Sequence, residues 1–289
     1  MNDDTVHFHG VFMTATIDFY HSRTIRNHFW INGEEGQNKI SQMTVAIAGL
    51  GGMGSGVAQT LARLGVKKFK IADNDIIEAS NINRQVIATK LNIGKSKIEE
   101  TKVMLLSIDP SIEIQMYPQG VDSLMVSDFL TGVDIVVDEI DVYPIEAHLD
   151  LHREANSLKL PIYSSFVIGM GIHLYKFIGS EYTIEDMYHP DCFTNDNRVS
   201  GIIKTYLRPA PQYMNQTVLE NFTRELELGN VPIFGPSCLL GHSIVATRIV
   251  LDYLELSPEH TPIMPEFISL DATCLKATTH VMRAWEKLS

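Results

Sequence analysis

The chain has 289 residues and carries 23 Lys plus Arg against 35 Asp plus Glu, a formal charge of −12. Its hydrophobic content of 45% against 20% charged residues excludes wholesale disorder and permits a sizeable core. The acidic balance argues against a generic grip on nucleic-acid backbone or an anionic membrane. The three cysteines, Cys192, Cys238 and Cys274, have no CxxC spacing, which excludes a disulfide framework and a four-cysteine zinc site.

Residues 1–10 show no basic segment followed by an apolar stretch. The greasiest region, 238–256, is broken by His242, Arg248 and Asp252 and reads as a buried helix rather than a membrane span. The expectation is a cytoplasmic protein. Residues 1–40 form a polar arm with a short helix expected near 21–28. Thr44–Ala48 is then a β-branched run that meets glycine, and residues 53–64 follow with helical spacing of Val57, Leu61 and Leu64. Further strands are expected at 68–73, 112–117, 134–138 and 162–166, alternating with helices at 96–107 and 144–157. The apolar run at 134–138 is of the kind buried on both faces. This order predicts an α/β fold: a Rossmann-like, mainly parallel sheet flanked by helices over 41–180.

An antiparallel addition is expected at 172–178. Residues 182–236 are polar and Pro-punctuated, a long excursion in the 181–289 part that completes the same domain. A strong helix follows at 239–254, then a strand pattern with a final amphipathic piece at 267–285.

Gly49-Leu50-Gly51-Gly52-Met53-Gly54 is a GxGxxG between a strand and a helix, and Asp73 stands 19 residues after Gly54 at the end of the next strand. The glycines suit a tight turn, backbone approach to phosphate and close helix packing; the helix N-terminus attracts the anion, and Asp73 can accept from ribose hydroxyls. Alone, that fingerprint fits a nicotinamide or flavin oxidoreductase. The residues beyond it, Asp75, Asn81, Arg84, Gln85 and then Lys95 and Lys97, suit a nucleoside triphosphate, whose extra charge needs guanidinium and ammonium groups. Asp138 and Asp141, ending the fourth strand, are candidate magnesium ligands.

In this order the motifs resemble the ThiF/MoeB/HesA adenylyltransferases, bacterial relatives of ubiquitin-activating enzymes. The resemblance covers roughly residues 20–180, with a weaker echo at 235–254. It implies that Asp73 binds ribose within a nucleotide-binding set of Gly49, Gly51, Gly52, Gly54, Asp73, Asp75, Asn81 and Gln85. It also implies that Asn81, Arg84 and Lys97 contact the triphosphate, that Asp141 assists magnesium and the attacking carboxylate, and that Arg23 reaches a partner's nucleotide across a homodimer. The implied reaction is ATP-dependent adenylation of a carboxylate at the C-terminus of a small ubiquitin-like or sulfur-carrier protein or a peptide. A modified tRNA base is a less favoured substrate, and a non-catalytic nucleotide-binding partner subunit is a further alternative. Two departures stand out: Val142 follows Asp141 where the family commonly has Asn, and the paired zinc-binding CxxC motifs are absent. Cys192 is the candidate for a covalent thioester or persulfide, but only His189 stands by to activate it, so an ordinary thiol is expected. Cys238 and Cys274 are expected in the core. The scattered His7, His9, His148, His152 and His173 lack ligand spacing and carry no metal expectation.

Overall fold

The computed structural model describes residues 18–179 and 181–285; the readings made on residues 1–10, including His7 and His9, lie outside them. The eight strands are β1 (Thr44–Ala48), β2 (Lys68–Ala72), β3 (Glu113–Tyr117), β4 (Ile135–Asp138), β5 (Ile162–Ile168), β6 (Gly171–Phe177), β7 (Glu266–Asp271) and β8 (Lys276–Val281). They form one sheet in the order β3-β2-β1-β4-β5-β6-β7-β8. From β3 to β5 the pairing is parallel; from β5 to β8 it is antiparallel. The helices are α1 (Phe19–Thr24), α2 (Gly33–Gln42), α3 (Gly52–Leu64), α4 (Lys97–Ile108), α5 (Val126–Leu130), α6 (Ile145–Ser157), α7 (Ile184–Met187), α8 (Arg198–Tyr206), α9 (Gln216–Glu227) and α10 (Gly235–Tyr253).

The alternation of side chains along a strand divides the central sheet between two cores. Val45 and Ile47 of β1, with Ile135 and Val137 of β4, pack with Leu61, Val245 and Ile249 of α3 and α10. Ala46, Ala48 and Val136 face the other side, where Phe129, Leu151, Tyr188 and Tyr206 lie. The expected two-sided burial of β4 is therefore present. The excursion orders itself by apolar burial and hydrogen bonds: Tyr188 and Tyr206 share a hydroxyl contact of 2.8 Å, and the His189 N–H donates to Thr205 Oγ1 at 2.9 Å.

Two local expectations are corrected. Residues 267–285 hold the β7–β8 hairpin, because the alternating Thr278 and His280 extend the sheet by pairing with Ser269 and Phe267. Cys274 sits exposed in the hairpin turn rather than in the core, while Cys238 is buried. Cys192 is buried beside Thr205 Oγ1 (3.5 Å), and burial pushes its thiol pKa up, so it has no nucleophile's setting. Among the described residues no helix is long and apolar enough to cross a membrane.

Candidate nucleotide-binding site

β2 and β4 flank β1 on opposite sides, so the strand order reverses at β1 and opens a crevice at its carboxyl end. Gly49 turns the chain there with φ +85°, and a Cβ on it would lie 2.2 Å from the Glu139 carbonyl oxygen, so only glycine fits. The N–H groups of Gly52, Met53 and Gly54, opening α3, have no partner among the described residues, and the N-cap Gly51 supplies no side chain. A helix start left open in this way suits an anion.

Asp73 lies under this loop, 8% exposed. Its Oδ2 accepts the Leu50 N–H at 2.6 Å and its Oδ1 the Asp75 N–H at 2.8 Å. Burial raises its pKa, and these two bonds offset only part of that rise. The Arg84 stem rests against Gly52, with Cγ 3.1 Å from the place a Cβ would take there. Its Nη1 donates to the Ser80 carbonyl (3.1 Å) and Asn83 Oδ1 (2.9 Å), which aims the guanidinium along the loop. Gln85 is buried, its Nε2 3.8 Å from a Cβ built on Gly51, and its Oε1 has no partner. An orphaned buried amide oxygen is an acceptor and fits a hydroxyl or amine of a bound ligand, while the Nε2 donor is the atom near Gly51. Lys97 buries its stem and reaches Asp75 Oδ2 at 2.8 Å, within electrostatic range of Asp73. Asn81 has a different occupation: its Oδ1 accepts the Glu78 N–H at 3.0 Å in a capping box that shapes the 78–85 loop.

The end of β4 departs from expectation. Asp138 is 1% exposed; its Oδ2 accepts from His148 Nδ1 (2.7 Å) and His152 Nε2 (2.9 Å), and its Oδ1 accepts the Ile140 N–H (3.2 Å). Burial works against its charge, but the two histidines outweigh it and hold the carboxyl well below the usual range. A carboxylate so buried and occupied has no face for magnesium, so the paired Asp138–Asp141 site is not formed. Among the described residues no group of three His, Cys, Asp or Glu could hold a metal. Asp141 remains exposed, with Oδ1 accepting the Val142 N–H at 2.7 Å, and is the residue here that can meet a phosphate-bound cation. Between the two, Glu139 accepts the Ser165 hydroxyl at 2.6 Å, and burial pushes its pKa well above the carboxylate range.

Arg23 lies at the far end of α3 from the glycine loop. Its Nε and Nη2 meet Asp109 Oδ2 at 3.0 and 2.9 Å, and its Nη1 donates to the Ala62 carbonyl at 2.9 Å. It anchors the arm to its own chain, and the structure does not bring it to the site.

α10 closes the other wall. Ser237 Oγ donates to the Gly169 carbonyl (3.1 Å), and Cys238 Sγ lies 2.9 Å from a Cβ built on Gly52. Beyond Gly169 a cavity of about 450 Å³ opens on the β5–β8 face under residues 209–213, with His173, Ser269, Lys276, Thr278 and His280 in its lining. The sequence reading missed this cavity and the histidine pair; the spacing of His148 and His152, four apart on α6, was the one signal for the latter.

Residues 21–277 match the ThiF family, and the chain belongs to it. It is 33% identical over 136 residues to the molybdopterin-synthase adenylyltransferase of Haemophilus influenzae, covering 47% of this chain and 55% of that one. It is 31% identical over 134 residues to the tRNA threonylcarbamoyladenosine dehydratase of Bacillus subtilis, covering 46% and 52%. The chain thus spans about half the length of these curated relatives. A crystal structure of E. coli MccB with MccA shares the fold with a TM-score of 0.66 at 19% identity, over 92% of this chain and 72% of that one.

Proposed function

We propose that the protein adenylates a carboxylate at the end of a polypeptide, using ATP. The observation that carries this is the triphosphate-directed set around the open start of α3: Arg84 laid against Gly52, the Gln85 Nε2 donor beside Gly51, and Lys97 on the same flank. A dinucleotide, with only a pyrophosphate to neutralise, leaves the extra cations without a purpose.

Asp73 takes the ribose, and the α3 N–H groups, Arg84 and Lys97 take the phosphates. The substrate carboxylate oxygen attacks the α-phosphorus; the new C–O–P bond forms as the bond to the β-phosphate oxygen breaks, and pyrophosphate leaves with the electron pair. Carboxylate is a weak nucleophile, so the rate comes from alignment and from neutralising charge on the leaving phosphates. Magnesium carried in with ATP would be met by Asp141 and would supply part of that neutralisation.

The Haemophilus influenzae relative is named for a protein substrate, and the cavity beyond Gly169 has the volume and polar floor to take the residues preceding a terminal carboxylate. The Bacillus subtilis relative is named for tRNA, but a net charge of −12 suits a phosphate backbone poorly. A homodimer is part of the proposal, supported by Phe29 and Trp30, 84% and 74% exposed on the arm. Arg23 contributes across such a dimer only if its ion pair with Asp109 opens. Pyrophosphate–ATP exchange with small ubiquitin-like carriers and peptides tests the proposal: exchange with a free C-terminus and none with its amide is expected. Exchange that ignores the C-terminal carboxylate contradicts it.

A further inference from the structure

We propose that His148 is a positioning residue for Asp141, holding the 139–144 loop to the end of β4 through one imidazole that donates to the Asp138 carboxylate and to the Asp141 carbonyl. The inference rests on the adenylation reading for its functional consequence, and on geometry alone for the contact.

His148 stands in the first turn of α6, the helix that this loop feeds, and is 1% exposed. Nδ1 lies 2.7 Å from Asp138 Oδ2 and Nε2 lies 3.0 Å from the Asp141 carbonyl oxygen. Both partners are acceptors, so both ring nitrogens donate, and the ring becomes a rigid strut between the last residue of β4 and the backbone of the residue that meets the cation. The loop's other ties, among them the Ile140 N–H to Asp138 Oδ1 and the buried Val142 side chain, do not hold the Asp141 carbonyl. The Glu139 N–H donates to the Ala48 carbonyl, the Val142 N–H turns back on Asp141's own side chain, and the Tyr143 hydroxyl donates to the Leu226 carbonyl. Among the described residues His148 is the partner of the Asp141 carbonyl.

His152 supplies an internal control. Four residues along α6, its Nε2 lies 2.9 Å from the same Asp138 oxygen, and its ring packs edge-on against Phe177 with centroids 4.8 Å apart. It shares the carboxylate and the burial with His148, but its bond goes to Asp138 rather than to the loop. A purely structural role would make the two histidines interchangeable in their effects; a positioning role makes them differ.

The experiment compares His148→Leu, His148→Gln and His152→Leu in the full chain by three readouts: thermal midpoint, amide hydrogen exchange across 139–144 without ligand, and pyrophosphate–ATP exchange kinetics. Both leucine variants should lose thermal stability to a similar degree. His148→Leu should speed amide exchange in the loop by about tenfold or more. It should also lower kcat by roughly 100-fold, the cost of a misplaced group, while KM for ATP stays within about twofold. His148→Gln, whose amide can still donate, should recover most of both. His152→Leu should leave loop exchange and kcat within about threefold of wild type. Equal losses of kcat in the two leucine variants, or unchanged loop exchange in His148→Leu, overturn the proposal. Should His148→Leu fail to fold, His148→Ala against His152→Ala carries the same comparison: equal loop exchange and equal kcat in the two would overturn it. A wild type without nucleotide exchange activity sinks the adenylation reading, while amide exchange still decides whether His148 holds the loop.

Discussion

Asp138 and Glu139 are adjacent, yet their surroundings shift their pKa values in opposite directions. Two histidines hold the buried Asp138 carboxyl below the usual range, whereas Glu139, with a single serine hydroxyl for support, is pushed up by burial. A residue-by-residue reading could find the acids but not their partners. His148 and His152 come from the next helix, and nothing near Asp138 in sequence announces them. The glycine loop and Asp73 were legible because strand, turn and helix are contiguous there. Arg84 and Lys97 should matter for rate more than for folding, since the Lys97–Asp75 pair ends on an exposed carboxylate and such pairs contribute little stability. Arg84→Ala and Lys97→Ala should each lower kcat in pyrophosphate exchange by about 10²- to 10³-fold, with melting temperatures close to wild type by calorimetry. Full activity in both variants would remove them from the phosphate site.

Elements were readable where a β-branched run ends on glycine, as at β1, or alternates as in β2, since both patterns follow from burial on a pleated strand. The helices of the excursion were not. Tyr188, Cys192, Ile202 and Tyr206 reach the core from short pieces whose local periodicity is weak, so tertiary packing decides them. The antiparallel extension is held to α10 through Asp252, which accepts from Tyr163 of β5 (2.7 Å), Lys176 of β6 (2.8 Å) and the Thr261 N–H (3.1 Å). Burial opposes its charge, but bonds from Lys176, Thr261 and Tyr163 win and lower its pKa to about 2. The folded pKa lies below the ordinary 3.8, so the stabilisation is complete above that value and is lost as pH falls toward about 2. Chemical denaturation across this range should show stability falling with acid. Asp252→Asn should flatten that slope and cost on the order of 3 kcal/mol at neutral pH, because the buried Lys176 loses its partner. An unchanged slope would show that Asp252 does not tie the extension down.

For the whole molecule, the sheet order places the crevice and the cavity beyond Gly169 on either side of the N-terminus of α10, and the arm carries its aromatic residues outward. If Phe29 and Trp30 form the proposed two-fold contact, the protein should sediment as a dimer, and Phe29→Ser with Trp30→Ser should yield a folded monomer by analytical ultracentrifugation. A wild-type monomer at micromolar concentration contradicts the homodimer. Isothermal titration calorimetry with ATP, AMP and NAD separates the possibilities for the crevice. ATP should bind at least about tenfold tighter than AMP, a difference of 1.4 kcal/mol or more, with the advantage lost in Arg84→Ala and Lys97→Ala and NAD binding weakly. Binding of NAD in preference to ATP, or equal affinity for ATP and AMP, would contradict the proposed function.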